Sequence, residues 1–85
     1  MLLIQFSQIT KKETILFDGS LDEVLNKYES LTKIYEEQGI FMVKEHYIEG
    51  TYIREFATIQ RGHMLDLIIC GSITQKVYAH RNTNK

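Results

Sequence analysis

Proline and tryptophan do not occur in this 85-residue chain, and cysteine occurs once, as Cys70. With no proline, low-complexity stretch or internal repeat, nothing in the sequence reads as a linker. One domain is therefore expected over residues 1–81, with the wholly polar run Asn82, Thr83, Asn84 and Lys85 as a disordered tail. A lone thiol cannot close an intramolecular disulfide or furnish a multi-cysteine zinc site, which fits a reducing cytoplasm. No uninterrupted apolar run approaches the ~18 residues of a membrane span. Residues 1–6 also lack the basic and long apolar segments of a secretion signal. A large charge of one sign is missing too. Ten Lys and Arg against eleven Asp and Glu leave a formal −1, which gives no bulk attraction to nucleic acid or to an anionic membrane.

What is present is the balance of an ordinary globular domain, 44% hydrophobic and 25% charged, which excludes disorder and coiled coil. Folding at this length buries only roughly 60% of the unfolded surface, so stability is marginal and a partner subunit would matter. Abundant isoleucine and tyrosine without proline or tryptophan is the composition expected of an AT-rich bacterial or phage genome.

Leu2, Ile4 and Phe6 alternate with Gln5 and Ser7, a period of two that predicts a strand. After the polar break at residues 10–13, Ile15 and Phe17 continue the pattern, and the two segments read as an N-terminal hairpin. Ser20 and Glu23 then spell a capping box, in which the serine hydroxyl accepts from the third helical N–H and the glutamate reaches back to the cap. Leu21, Val24, Leu25, Tyr28, Leu31, Ile34 and Tyr35 recur at helical spacing, and Gly39 offers a left-handed stop. The spacing predicts an amphipathic helix over residues 21–38 whose outer face carries five acids against two lysines, a solvated surface.

From Ile40 onward the period returns to two, and Glu49-Gly50, Arg61-Gly62 and Gly71-Ser72 are candidate hairpin turns. Closing the first turn sets Tyr47 opposite Tyr52, Glu45 opposite Arg54, Lys44 opposite Glu55, Val43 opposite Phe56 and Met42 opposite Ala57. Closing the second sets Phe56 opposite Leu67 and Arg54 opposite Ile69. The third turn would return residues 73–79 as a fourth strand, unless Gly71 is a bulge. The expected fold is thus α+β: an N-terminal hairpin, one helix, then a meander of three to four antiparallel strands, with the helix on one sheet face.

That face collects Phe41, Val43, Glu45, Tyr47, Tyr52, Arg54, Phe56, Leu65, Leu67 and Ile69. The other collects Ile40, Met42, Lys44, His46, Ile53, Glu55, Ile59, Met64, Asp66 and Ile68, and is too apolar to stay wet. The N-terminal hairpin, a second copy of the chain or another protein would have to cover it. Because no proline blunts the sheet edges, pairing across a two-fold axis is a further route to a homodimer. On the same face Lys44, Glu55 and Asp66 form a polar diagonal beside His46. It reads as a register-fixing ion pair of Lys44 with Glu55 or, alternatively, as an acid/base or ligand-orienting cluster.

No nucleotide-binding glycine motif or nucleophile motif occurs. Cys70 lies in an apolar run where a thiol is inert core. His46, His63 and His80 recur at equal intervals, with His63 placed opposite His80, a pair too few for a zinc site. No metal, cofactor or catalytic residue is expected. Lys76, Tyr78, His80 and Arg81 could contact nucleic acid, with Tyr78 stacking on a base, but the basic excess is that of an ordinary surface. The leading expectation is a small cytoplasmic binding protein, a regulator or inhibitor of a larger partner that also self-associates. A small-ligand protein or minor enzyme using His46, Glu55 and Asp66 comes second, and a weak nucleic-acid binder third.

Overall fold

A computed structural model describes residues 1–73, 75 and 76. Strands β1 (Leu2–Ser7) and β2 (Glu13–Asp18) are followed by helix α1 (Leu21–Glu37), then by β3 (Phe41–Ile48), β4 (Thr51–Thr58) and β5 (Gly62–Cys70). All five strands form one antiparallel sheet in the order β2-β1-β5-β4-β3. Among the described residues the meander therefore has three strands, and the N-terminal hairpin joins it edge to edge through the β1–β5 ladder. The chain leaves the sheet at one edge and re-enters at the other. A 17-residue helix, roughly 25 Å long, can span the ~19 Å across five strands, so α1 crosses one face from edge to edge.

The helix start is written locally, as the sequence predicts. Ser20 Oγ accepts from the Glu23 N–H and Glu23 Oε1 accepts from the Ser20 N–H, completing the capping box. Gln38 caps the far end, and Gly39 takes the left-handed conformation that ends the helix, at φ +79°. Val24, Tyr28 and Tyr35 reach down from α1 onto Leu3, Phe56, Leu65, Leu67 and Ile69 to make the main core. There the Tyr35 ring meets Phe56 edge-on at 5.2 Å, and Tyr35 Oη donates to Gln5 Oε1 at 2.9 Å.

Arg54 adds a polar clamp between layers. Its guanidinium donates to Glu29 Oε1 (2.6 Å) and Thr32 Oγ1 (2.9 Å) on the helix and to Glu45 Oε2 (2.7 Å) on β3, while lying 4.3 Å from the centre of the Tyr28 ring. The helix face is thus not merely solvated, because Glu29 is held by the sheet. Burial works against the arginine charge, but the bonds to Glu29 and Glu45 outweigh it and hold the group above its ordinary pKa.

The register differs from the expected one at two bulges. The β3–β4 pairing holds from Tyr47 with Tyr52 to Lys44 with Glu55, then shifts, so that Met42 faces Phe56 and Phe41 faces Ala57. Between β4 and β5 the partners are Arg54 with Leu67, Glu55 with Asp66 and Phe56 with Leu65, two residues from the expected ladder. The turn explains the offset. β4 ends at Thr58 and β5 starts at Gly62, whose φ of +67° closes a loop of residues 59–61 in place of a two-residue turn at Arg61-Gly62.

Beyond β5, Ile73, Gln75 and Lys76 are helical, and no fourth strand forms among the described residues. Ser72 Oγ accepts from the Gln75 N–H and Gln75 Oε1 accepts from the Gly71 N–H, so Gly71-Ser72 opens a helical turn and is neither hairpin nor bulge. The spelling Ser-x-x-Gln is that of a second capping box, which outweighs the alternation read as a strand. The expected tail at residues 82–85 lies outside the described residues.

Candidate functional site

The face opposite α1 is where the sequence placed its interaction surface, and its lower half is already dry. Ile4, Ile53, Ile68 and Cys70 form a second buried cluster, flanked by Leu2, Phe6 and Ile48. The N-terminal hairpin does not lie across this face; β1 joins the sheet plane and contributes Ile4 and Phe6 to it. Lys76 lies over Phe6, 6.0 Å from the ring centre, and pairs with Glu13 of β2. Burial pulls its pKa below that of an ordinary lysine. Lys76 is thus held within the fold by Glu13 and Phe6. Tyr78, His80 and Arg81 lie outside the described residues.

The expected surface residues consequently separate. Ile53 and Ile68 are 1% and 0% exposed and belong to the core. Bulges turn Ile40, Met42 and Met64 to the helix side: Ile40 packs on the main core, Met42 pairs with core Phe56, and Met64 shares a shallow groove with Ile40 and Gln38. Ile59 lies beyond the end of β4, in the turn, 85% exposed. Ile53 and Ile68 stay on the expected face as its dry half, and Lys44, His46, Glu55 and Asp66 define its polar upper half.

In that half Lys44, Glu55 and Asp66 form a straight row across β3, β4 and β5, continued on β1 by Phe6. The side chains do not follow the expected pairing. Glu55 is engaged by two histidines, with Oε2 lying 3.0 Å from His46 Nε2 and Oε1 3.7 Å from His63 Nε2, and no Lys44–Glu55 ion pair forms among the described residues. His63 Nε2 also meets Asp66 Oδ1 at 2.7 Å, and the other Asp66 oxygen accepts from Gln8 Nε2 at 2.9 Å. The approach of His46 to Glu55 is too oblique for a hydrogen bond, leaving its Nε2 buried without one. Sequence reasoning missed His63 and Gln8. The expected register kept His63 away from Glu55, and a glutamine in a loop carries no motif. Cys70 behaves as expected: it is fully buried, and burial pushes its thiol pKa up.

The other exposed feature is the outer edge. With β3 last in the sheet, its outward main-chain groups meet no further strand among the described residues. Along it Phe41, Val43 and Tyr47 are 46%, 59% and 59% exposed. The Tyr47 ring stacks obliquely on Tyr52 at 4.8 Å. Among the described residues no helix is long and apolar enough to cross a membrane. Comparisons with protein-family models, with curated proteins and with solved structures gave no match to this chain.

Proposed function

We propose that the protein is a small cytoplasmic interaction module that works by protein–protein contact along β3, regulating a larger partner and associating with itself across a two-fold axis. The observation that carries this reading is the run of exposed Phe41, Val43 and Tyr47 on an edge strand. Edge strands in isolated domains are normally short, charged or covered. This one is eight residues long and mainly apolar. The bulge at Val43 and the charges of Lys44 and Glu45 shorten the stretch open to strand pairing. Contact would therefore rest chiefly on the protruding side chains, a mode that suits a weak, concentration-dependent dimer.

This moves the expected dimer contact from the sheet face to the sheet edge. Ile53→Glu would put a charge into a core and unfold the chain, whereas Val43→Lys alters an exposed residue. Sedimentation equilibrium at micromolar concentrations supplies the test. The wild type should show a monomer–dimer equilibrium that Val43→Lys shifts toward monomer with an unchanged far-ultraviolet spectrum. A wild type that fits a single monomeric species throughout would defeat self-association.

A further inference from the structure

We propose that His63, Asp66 and Glu55 bind a divalent transition-metal ion of the zinc class on the sheet face opposite α1, independently of the edge contact. One donor atom from each of Glu55, His63 and Asp66 falls within 4.8 Å of the others. Metal bonds of about 2.0–2.1 Å in a tetrahedral arrangement hold donor atoms roughly 3.3 Å apart. The His63–Asp66 separation of 2.7 Å and the His63–Glu55 separation of 3.7 Å bracket that spacing, so small side-chain rotations suffice. His46 stands on the far side of Glu55, its Nε2 3.0 Å from the second carboxylate oxygen, and lies outside the donor group; water would complete a four-coordinate shell.

The donor set selects the ion. An imidazole with two carboxylates suits zinc, cobalt or nickel, whereas magnesium and calcium prefer oxygen-only sites. The platform is rigid, because two hydrogen-bonded strands present the three side chains and backbone register fixes Glu55 opposite Asp66. An outer contact is in place as well. Gln8 donates to Asp66 Oδ2 while Oδ1 meets His63, the kind of support that orients ligands in metal sites. A route from solvent exists, since the His63 side chain is 36% exposed while that of Asp66 is almost fully covered. The competing account is a network of histidine–carboxylate ion pairs that holds no metal.

Titration of the chelator-treated full chain separates the two accounts, with zinc chloride followed by calorimetry and cobalt chloride by visible absorption. The site predicts saturable uptake of a single equivalent of zinc and the intense visible bands of low-symmetry, four-coordinate cobalt. His63→Gln and Glu55→Gln, both at partly exposed positions, should each weaken zinc binding at least about tenfold. Lys44→Gln, on the same face but outside the donor set, should leave it unchanged. Circular dichroism of each variant guards against loss of fold. No saturable uptake by the wild type, or uptake that survives both His63→Gln and Glu55→Gln, would overturn the proposal in favour of the ion-pair network.

Discussion

Arg54→Ala should loosen the helix from the sheet more than any other single change at a residue outside the apolar core. The arginine side chain is 12% exposed and its carboxylate partners Glu29 and Glu45 are 57% and 47% exposed, so solvent screening limits the two pairs to about 0.5–1 kcal/mol each. The bond to Thr32 Oγ1 contributes about 1 kcal/mol, and stacking over Tyr28 about 1 kcal/mol. These contacts share one side chain and do not sum fully, which leaves an expected loss of about 2–3 kcal/mol. For a domain this small that corresponds to about 4–8 °C of melting temperature per kcal/mol. Arg54→Lys keeps the charge but not the planar fork that reaches three acceptors, and should recover less than half of the loss. Urea unfolding of the wild type, both variants and the Glu29→Gln cross provides the measurement. A midpoint for Arg54→Ala that lowers stability by less than about 0.5 kcal/mol, with an unchanged slope, would refute the clamp.

Ser20→Ala removes the oxygen that accepts from the Glu23 N–H and should cost about 0.5–2 kcal/mol in urea unfolding. The Tyr28 hydroxyl is buried with no hydrogen-bond partner, so Tyr28→Phe should leave stability unchanged or raise it by up to about 1 kcal/mol; a clear loss would reveal a partner. The Arg54 hydrogen bond holds the Glu29 carboxyl below its ordinary value of 4.5, so its stabilisation is complete above that pH and is lost as pH falls through the lowered value. The stability gap between wild type and Glu29→Gln should accordingly be widest near neutrality and narrow on acidification below pH 4.5, as followed by urea midpoints across pH.

Features set by neighbouring residues were legible in the sequence. The capping box, the helical spacing of Val24, Tyr28 and Tyr35, and the left-handed Gly39 need only local chemistry, and the helix ends within one residue of its expected limit. The hairpin at Glu49-Gly50 was equally readable, since both residues adopt the positive φ of a tight hairpin turn, and Glu45 meets Arg54 as the pairing required. Insertion of β1 beside β5 was not readable, because it depends on a long-range ladder for which the sequence offers only alternation. Nor could pairing reveal that Glu55 would turn to two histidines. Opposition across strands fixes which side chains can meet, while their rotamers decide which do.

Alternation has a specific blind spot, and Gly62 shows what fills it. Slipping a strand by two residues returns every side chain to the same face, so hydrophobic pattern alone cannot distinguish Glu55 opposite Asp66 from Glu55 opposite Ile68. The turn decides, through the single left-handed residue that closes the loop of residues 59–61. Gly62→Ala isolates that backbone contribution: no atom lies within 4 Å of where its methyl would sit, so sterics with the rest of the fold add nothing. Holding an L-residue at φ +67° should cost about 1–2 kcal/mol. Gly62→Asn should cost less, because asparagine tolerates this region better than alanine. Urea unfolding of the two variants, with cross-strand contacts between Glu55 and Asp66 followed by nuclear Overhauser effects, gives the reading. Equal stability of wild type and Gly62→Ala would mean that the left-handed turn does not set this register.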